Sequence, residues 1–463
     1  MPFIGMDSTE RGEPSRFEDA QKNPRAVFTG APYTVAPTVT PFTTFPQAEQ
    51  DVVFDLVDLT RRAVAISDFS GGQQGRNFTK YGFSVDSGQT WSEQYVPVNS
   101  PGGLLVTRDN KLWDANSDPV LATHHSGLVY LANLYINGLS NSFDMSNGIY
   151  VSRTTWDDRL FTKENTFPAV VNASPTTPFF GDKEWIAVDN SLGANDGNVY
   201  ISFTRFAGAD NRIRFVRSRD QGATWSAPLA LSPLSQNGTV QGTQVAVGPT
   251  GTVYVAYSRT LQGAQRQIWL LRSLDGGVTW RAPHQITPTF TTLSNFPSKY
   301  RVNSFPAMAV SAVDGSLHVV YADQPDFTTG GTVNYIKSID GGVNWTAPLV
   351  INDVDTGQQF MPSVAVDDGN IVHAAWFDTR NAISVLGVPL ARTFDVYASY
   401  SRATGVFSPN ARVTAQSQDS GAGNGFIGDY MGIRARGGIA KPVWNSGGFN
   451  NGKLQTTTLV VPL

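Results

Sequence analysis

The octapeptide Ser218-Arg-Asp220-Gln-Gly222-Ala-Thr224-Trp225 decides the fold of this chain, because close variants of it recur. Every copy reads Ser-x-Asp-x-Gly-x-(Thr/Asn)-Trp. The other three copies span Ser84–Trp91, Ser273–Trp280 and Ser338–Trp345. An aspartate can accept hydrogen bonds from the backbone of a tight turn, a glycine can adopt a positive φ, and a tryptophan is a large apolar anchor for the next strand. The motif therefore predicts a hairpin turn between two β-strands, repeated along the chain.

The spacing of the copies predicts a repeat protein. The interval between the first and second copies is about twice the later ones, and a degenerate copy, Ser152–Asp157, lies within it. Another degenerate copy, Ser401–Phe407, follows the fourth. Upstream of the motif, a short apolar strand such as Phe360–Asp367 is followed by a second strand with aromatic residues near its end, such as Gly369–Asp378. Seven such units of about 60 residues fill residues 47–463.

Each unit is predicted to be a four-stranded antiparallel meander, which buries both faces only by packing radially against its neighbours. We therefore predict an all-β fold, a β-propeller of seven four-stranded blades, with six blades as the alternative. The last unit has three predicted strands, whereas Ala26–Val35 is unassigned and has strand character. We expect this N-terminal strand to complete the last blade and close the ring. The predicted domains are a polar arm, residues 1–25, and a single propeller, residues 26–463.

Composition excludes several classes of protein. The chain has 34 basic and 38 acidic side chains, a net charge of −4, and no cysteine. Without cysteine, a disulfide scaffold, a zinc finger, an iron–sulfur protein and a thiol enzyme are excluded. The mild acidity argues against a nucleic-acid partner. No stretch approaches 18 consecutive apolar residues, so we expect no membrane span.

The predicted topology sorts the polar residues into two ends of the ring. The motif turns join strands three and four, so they share one end with the turns between strands one and two. The other end holds the start of strand one and the end of strand two of each blade. Side chains there should surround the mouth of the central channel. From the start of strand one they are Glu49, Asp118, Asp182, Lys183, Glu184, Gln241, Arg301, Asn303, Gln358, Asp429 and Tyr430, and from the end of strand two they are Asp68, Asp323, Asp378 and Arg380.

The motif copies resemble the Asp-boxes, or BNR repeats, of the sialidase superfamily, and the strand patterns are similar to those of bacterial sialidase-like BNR proteins. The resemblance covers nearly the whole chain. It implies a ligand site at the channel mouth, opposite the motif turns, and a glycoside hydrolase acting on acidic sugars. Asp-boxes also occur in polysaccharide lyases, sorting receptors and assembly factors. The Arg-Ile-Pro-type motif of true sialidases has no counterpart here, which argues against an exo-sialidase.

The mouth residues suit the chemistry that this resemblance implies. A protonated carboxyl group can donate to a leaving oxygen, and a tyrosine with a carboxylate neighbour can act as nucleophile. The candidate catalytic residues are Asp429, Tyr430, Glu184 and Asp182. Guanidinium groups bind carboxylates bidentately. The candidate substrate-binding residues are Arg301, Arg380, Asp378, Lys183, Glu49 and Asp118.

Structural readings of the same residues stay open. Asp378 and Arg380 could form a local ion pair that fixes a loop, and Asp182, Lys183 and Glu184 could form an inter-blade network. Asp429 and Tyr430 are neighbours in sequence, and neighbours on a strand point to opposite faces.

The expected partner is a glycan or polysaccharide, and the expected location is extracellular or on a cell or virion surface, although Met1–Asp7 shows no signal peptide. The five histidines show no metal-ligand spacing, so no metal or other cofactor is predicted. Ca²⁺ would suit an acidic mouth, but no contiguous loop motif encodes a site for it. The alternative function is a non-catalytic structural or adhesive module of a larger surface or virion assembly, with the arm of residues 1–25 docking on a protein partner.

Overall fold

The computed structural model describes residues 23–42, 47–68, 78–96, 104–137, 146–172, 179–293, 302–325, 330–382, 384–385, 388–389, 393–402, 405–419, 427–447 and 453–462. Seven small antiparallel sheets follow one another along the chain and form a ring, a seven-bladed β-propeller. The prediction of an all-β propeller with seven blades is confirmed.

The first four blades are formed by consecutive strands. Blade one consists of Gln47–Phe54, Arg62–Asp68, Phe78–Ser84 and Gln94–Tyr95. Blade two consists of Ala115–Thr123, Leu128–Ile136, Asn147–Thr155 and Thr166–Val171. Blade three consists of Phe180–Val188, Val199–Phe206, Arg212–Ser218 and Leu229–Ala230. Blade four consists of Val240–Val247, Val253–Thr260, Gln265–Ser273 and His284–Gln285, with Phe290–Thr291 also paired to its third strand.

The remaining blades follow the same plan. Blade five consists of Ala307–Val310, Leu317–Asp323, Thr332–Ser338 and Leu349–Val350. Blade six consists of Gln359–Val366, Val372–Asp378, Thr393–Ser401 and Ala411–Arg412, with Gln418–Asp419 also paired to its third strand. Blade seven consists of Gly432–Arg436, Ile439–Asn445, Leu459–Val460 and Thr34–Val35, with Leu454–Thr456 also paired to Ile439–Asn445.

A few short elements lie outside the blades. Two hairpins are formed by Leu105–Val106 with Leu112–Trp113 and by Ser384–Val385 with Val388–Pro389. The helical elements are single 3₁₀ turns, Lys163–Asn165 and Leu234–Gln236. Among the described residues, no helix has the length and apolar character needed to cross a membrane.

The N-terminal segment closes the ring. Thr34–Val35 pairs antiparallel with Leu459–Val460, as predicted, and Val39 forms a further bridge to Thr456. The earlier part of the predicted strand behaves differently. Val27–Phe28 pairs in parallel with Val406–Phe407 beside blade six, and Arg25 bridges to Val350 of blade five. The segment therefore contacts three successive blades rather than completing one alone.

The motif turns are held by their aspartates. Ser273 Oγ donates to Asp275 Oδ1 (2.7 Å), while the Thr279 backbone N–H and hydroxyl donate to the same carboxylate (2.9 and 2.6 Å). In the copy Ser338–Trp345, the indole N–H of Trp345 donates a hydrogen bond to Gly342 O (3.1 Å). The same bonds recur in the copies that contain Asp86, Asp220 and Asp340. With their oxygens occupied in this way, these carboxylates stabilise turns.

The first strand of every blade lines the central channel. Apolar residues from these strands surround a cavity of about 290 Å³, among them Val53, Leu121, Ile186, Val245 and Met308. Inter-blade packing supplies the cores, where Trp376 and Trp444 are completely buried. Burying a large apolar side chain contributes roughly 1.5–3 kcal/mol. The residues of strand one thus determine which side chains line the central channel and its two ends.

Candidate functional site at the channel mouth

A β-bulge interrupts the first strand of five blades near its start. In each, one residue of the bulge has a positive φ: Glu49 (56°), Asp118 (54°), Lys183 (53°), Gly242 (66°) and Met361 (45°). Bulges change the direction in which side chains point, and a non-glycine residue in this region costs about 1–3 kcal/mol. Charged residues of blades one to three are thereby directed toward one another.

Lys183 is the centre of the resulting cluster. Its Nζ lies 2.5 Å from Asp429 Oδ2, 2.8 Å from Asp118 Oδ2 and 3.2 Å from Glu49 Oε1. The Lys183 side chain is only 9% exposed and its partners are buried. Four blades therefore meet at one ammonium group. We call Glu49, Asp118, Lys183 and Asp429 the lysine cluster.

The carboxyl groups of the cluster differ in pKa. Burial raises the pKa of Glu49 well above its usual range, and the neighbouring Asp118 charge adds to this effect. Burial alone would also raise the pKa of Asp118, but the Lys183 ammonium and a hydrogen bond with Glu49 lower it to about 2. The pKa values of these two neighbouring carboxyl groups are therefore shifted in opposite directions. Environments that separate the pKa values of adjacent groups in this way assign acid and base roles at many active sites.

Two further candidates stand beside the cluster. Burial raises the pKa of half-buried Asp182 to about 6, and Gln241 donates to its carboxylate (3.3 Å). Burial raises the pKa of Glu184 well above its usual range, with the Asp118 charge contributing. Among the described residues, neither carboxyl oxygen of Glu184 has a hydrogen-bond partner apart from the residue's own amide. Glu184 is therefore a buried acid whose hydrogen-bonding capacity is unused.

A chamber of about 40 Å³ adjoins the cluster. Its lining includes Lys183, Glu184, Asp429, Tyr430 and Trp185. This volume holds a water molecule or two, since one needs about 10–15 Å³. Trp185 also lines the larger channel cavity, so it lies between the two spaces.

Asp429 and Tyr430 both line this chamber although they are neighbours in sequence. They precede the regular strand Gly432–Arg436, so the alternation of a strand does not apply to them. The Tyr430 hydroxyl donates to Pro119 O (3.2 Å), and its ring packs edge-on against Trp185 at 5.8 Å between centroids. Burial raises the pKa of this phenol well above its usual range.

Arg380 and Asp378 form a separate assembly. Arg380 Nη2 donates to Asp378 Oδ2 (2.7 Å), and its Nη1 donates to Asp353 Oδ1 (2.6 Å). The guanidinium also lies 3.9 Å from the centre of the Tyr397 ring. This is the local ion pair that the sequence allowed as an alternative. Arg301 lies outside the described residues.

The sequence predicts Asn303 at the channel mouth but not Ser117, and both contact the lysine cluster. Ser117 Oγ lies 2.8 Å from Asp118 Oδ1 and 3.1 Å from Glu49 Oε2, and its single hydroxyl proton can be donated to either oxygen. Asn303 donates to Asp429 Oδ1 (3.0 Å). Ser117 precedes Asp118 and would point away from it in a regular strand. Only the bulge at Asp118 places the Ser117 hydroxyl beside both Asp118 and Glu49. No sequence signal marks that bulge.

No protein-family profile matches this chain, and neither does any curated protein. Among solved structures, a protein of unknown function from Dyadobacter fermentans is similar, with a TM-score of 0.44 and 12% identity over 95% of this chain and 98% of its own. The intramolecular trans-sialidase of Ruminococcus gnavus has a TM-score of 0.42 and 12% identity, covering 90% of this chain and 94% of its own. The GH93 α-L-arabinofuranosidase of Fusarium graminearum has a TM-score of 0.40 and 13% identity, covering 60% and 92%. We base no assignment of activity on similarities at this level.

Proposed function

We propose that this chain is a sialidase-like, Asp-box propeller of the cell or virion surface that recognises a glycan at the channel mouth and hydrolyses a glycosidic bond there. The observation that carries the proposal is the convergence of five carboxyl groups on one lysine at a single end of the ring. They are Glu49, Asp118, Asp182, Glu184 and Asp429. Glycoside hydrolysis requires one carboxyl group that donates a proton and another that is ionised.

Asp182 and Glu184 are the residues that we assign to proton transfer. Asp182 is the half-buried member, and a pKa of about 6 suits a group that must both give and take a proton near neutral pH. Glu184 lines the chamber, burial raises the pKa of its carboxyl group well above the usual range, and neither carboxyl oxygen has a partner in the described chain beyond the residue's own amide. The lysine cluster fixes the electrostatic environment of both. Tyr430 lines the same chamber, which has room for water but not for a sugar ring, so the glycan would lie at the channel mouth outside it.

Initial rates on a panel of aryl glycosides and acidic polysaccharides test this proposal. We expect wild-type protein to release reducing sugar and the variants Asp182→Asn and Glu184→Gln to lose about 100-fold or more in kcat, as for removal of a general acid or base. Asp158→Asn is the matched control, because Asp158 is an exposed carboxylate of a blade-two turn. Equal rates for all four proteins would contradict these roles, and absence of turnover on the whole panel would contradict the hydrolase assignment.

One observation favours the alternative, a structural or adhesive module. Asn23 donates to Asn334 (2.9 Å), and Arg25 pairs with Asp355, so the described chain begins against blade five. An arm of residues 1–22 attached there would be suited to reach a protein partner. Deletion of residues 1–22 tests this alternative by size-exclusion chromatography with the native assembly. Loss of co-elution with an unchanged thermal midpoint would support it, and unchanged co-elution would contradict it.

A further inference from the structure

Two turns of neighbouring blades bring together two histidines and an aspartate, outside the site described above. His124 and His125 lie in the turn between strands one and two of blade two. Asp196 lies in the corresponding turn of blade three. Potential ligand atoms of the three side chains all lie within 4.8 Å of one another. Two imidazoles and one carboxylate are a common protein ligand set for zinc.

The distance between His124 and Asp196 matches the spacing of ligands around a metal ion, while His125 is hydrogen-bonded to the same carboxylate. His124 Nε2 lies 3.4 Å from Asp196 Oδ1, and His125 Nε2 lies 2.9 Å from Asp196 Oδ2. Ligands at about 2.0–2.1 Å from a tetrahedral Zn²⁺ are about 3.4 Å from one another. The first distance is too long for a good N–H···O bond and equals this spacing. The second is within reach of it by a small rotation of the partly exposed His125 ring.

The second, independent observation is an unused nitrogen on a buried ring. His124 is 5% exposed, and its Nε2 has no hydrogen-bond partner among the described residues. Ser126 Oγ contacts the other nitrogen, Nδ1, at 2.8 Å and thereby fixes the ring. A buried polar atom without a partner is costly, and metal coordination would remove this cost.

The surroundings hold the other two ligands in place and leave access from solvent. The His125 backbone N–H donates to Asn190 Oδ1 (2.9 Å), and the Leu192 N–H donates to Asp196 Oδ1 (3.3 Å). Such outer contacts orient metal ligands. The side chains of His125 and Asp196 are 36% and 25% exposed, so an ion can reach the site and water can complete its coordination.

We propose that His124, His125 and Asp196 form a zinc site that ties blade two to blade three. The sequence did not predict it, because the ligands come from two blades and match no contiguous spacing. Since the chain has no cysteine, a metal ion would act as a cross-link that disulfides do not provide here. The site is independent of the glycan proposal, because it uses other residues in the turns that join strands one and two.

Binding of Zn²⁺ to the full chain, produced without a histidine tag and dialysed against EDTA, tests the proposal. Calorimetric titration with ZnCl₂ should show that one equivalent binds per chain. Thermal denaturation should have a higher midpoint with Zn²⁺ than without it. Asp196→Asn and His125→Ala should each weaken binding by about tenfold or more. The control His284→Ala removes a histidine of blade four and should bind as wild type does. Binding that is absent, or equal in all four proteins, would overturn the proposal.

A spectroscopic measurement on wild-type protein tests the site without any variant, so it does not depend on whether the variants fold. Co²⁺ added in place of Zn²⁺ should give the intense visible bands of a four- or five-coordinate site, and an equivalent of Zn²⁺ should remove them. Only the weak spectrum of hexahydrated Co²⁺ would overturn the proposal. Circular dichroism of the variants separates loss of a ligand from loss of the fold.

Discussion

At the scale of single residues, Lys183 contacts three buried carboxyl groups at the channel mouth. Its ammonium group neutralises part of a buried acidic cluster drawn from four blades. Despite burial, the Asp118 and Glu49 charges raise the pKa of Lys183 well above its usual range. Removing one partner of a buried ion pair is costly, since the remaining charges lack compensation. The mouth of the channel should therefore depend on this one cation.

Lys183→Met should lower the free energy of unfolding by about 3–5 kcal/mol, the cost of leaving buried charges unpaired. The loss should be smaller at pH 5 than at pH 8, because the abandoned carboxylates can take up protons. Urea denaturation at both pH values measures this, with Lys163→Met in the partly exposed 3₁₀ turn Lys163–Asn165 as control. A loss that is equal for both lysines would contradict the role of Lys183.

Asp182 provides a second prediction at this scale. Its pKa of about 6 in the folded protein lies above the value of about 4 expected in the unfolded chain. The folded state therefore binds more protons, so the contribution of Asp182 to stability falls as the pH rises from about 4 to about 6. Asp182→Asn should make the urea midpoint less dependent on pH in this window. An unchanged slope, equal to that of Asp158→Asn, would show that Asp182 is not perturbed.

At the scale of elements, arginines connect successive blades through the motif turns. Arg217 of blade three donates to Gly276 O in the turn of blade four (3.1 Å), and Arg272 of blade four donates to Gly341 O in the turn of blade five (2.6 Å). Arg153 of blade two donates to Gln221 O in the motif turn of blade three (2.7 Å). Each bond satisfies a turn carbonyl of the next blade. The turns thus join blades in addition to reversing the chain.

Arg272→Ala should lower the free energy of unfolding by about 1–2 kcal/mol, the range for a hydrogen bond from a charged donor reduced by solvent exposure. Arg281→Ala is the matched control, since Arg281 is an exposed arginine of the same blade. Chemical denaturation followed by tryptophan fluorescence measures both. Equal effects would mean that the cross-blade bond contributes nothing.

At the scale of the whole molecule, the N-terminal segment closes a ring that contains no cysteine. The buried Tyr33 hydroxyl lies 2.7 Å from His373 Nδ1, which attaches the segment to blade six as well as to blade seven. Deletion of residues 1–36 should lower the thermal midpoint by about 5 °C or more, because burial of Tyr33 and the pairing of Thr34–Val35 are lost. Deletion of residues 1–22 is the control and should leave it unchanged. Equal midpoints for both truncations would contradict closure by this segment.

The ring could be predicted from the sequence because its signals are local. The turn formed by Ser218–Trp225 depends on its own eight residues, and its recurrence counts the blades. The channel-mouth positions follow from the same repeat, because Glu49, Asp118 and Lys183 each lie near the start of strand one of their blade. Their convergence on one ammonium depends on positive φ angles that Glu49, Asp118 and Lys183 do not reveal by residue type. Arg380 pairs with Asp353 from a distant loop, which no local pattern indicates.

Binding of a glycan at the acidic channel mouth is the property on which the proposed function depends. The most direct test is a glycan array probed with wild-type protein, followed by calorimetric titration of the best ligand with the variants Asp182→Ala and Asp158→Ala. We predict that wild-type protein and Asp158→Ala bind alike and that Asp182→Ala binds about tenfold or more weakly, as expected when a hydrogen bond to a charged group is lost. No binding across the array, or equal affinity for all three proteins, would contradict the claim.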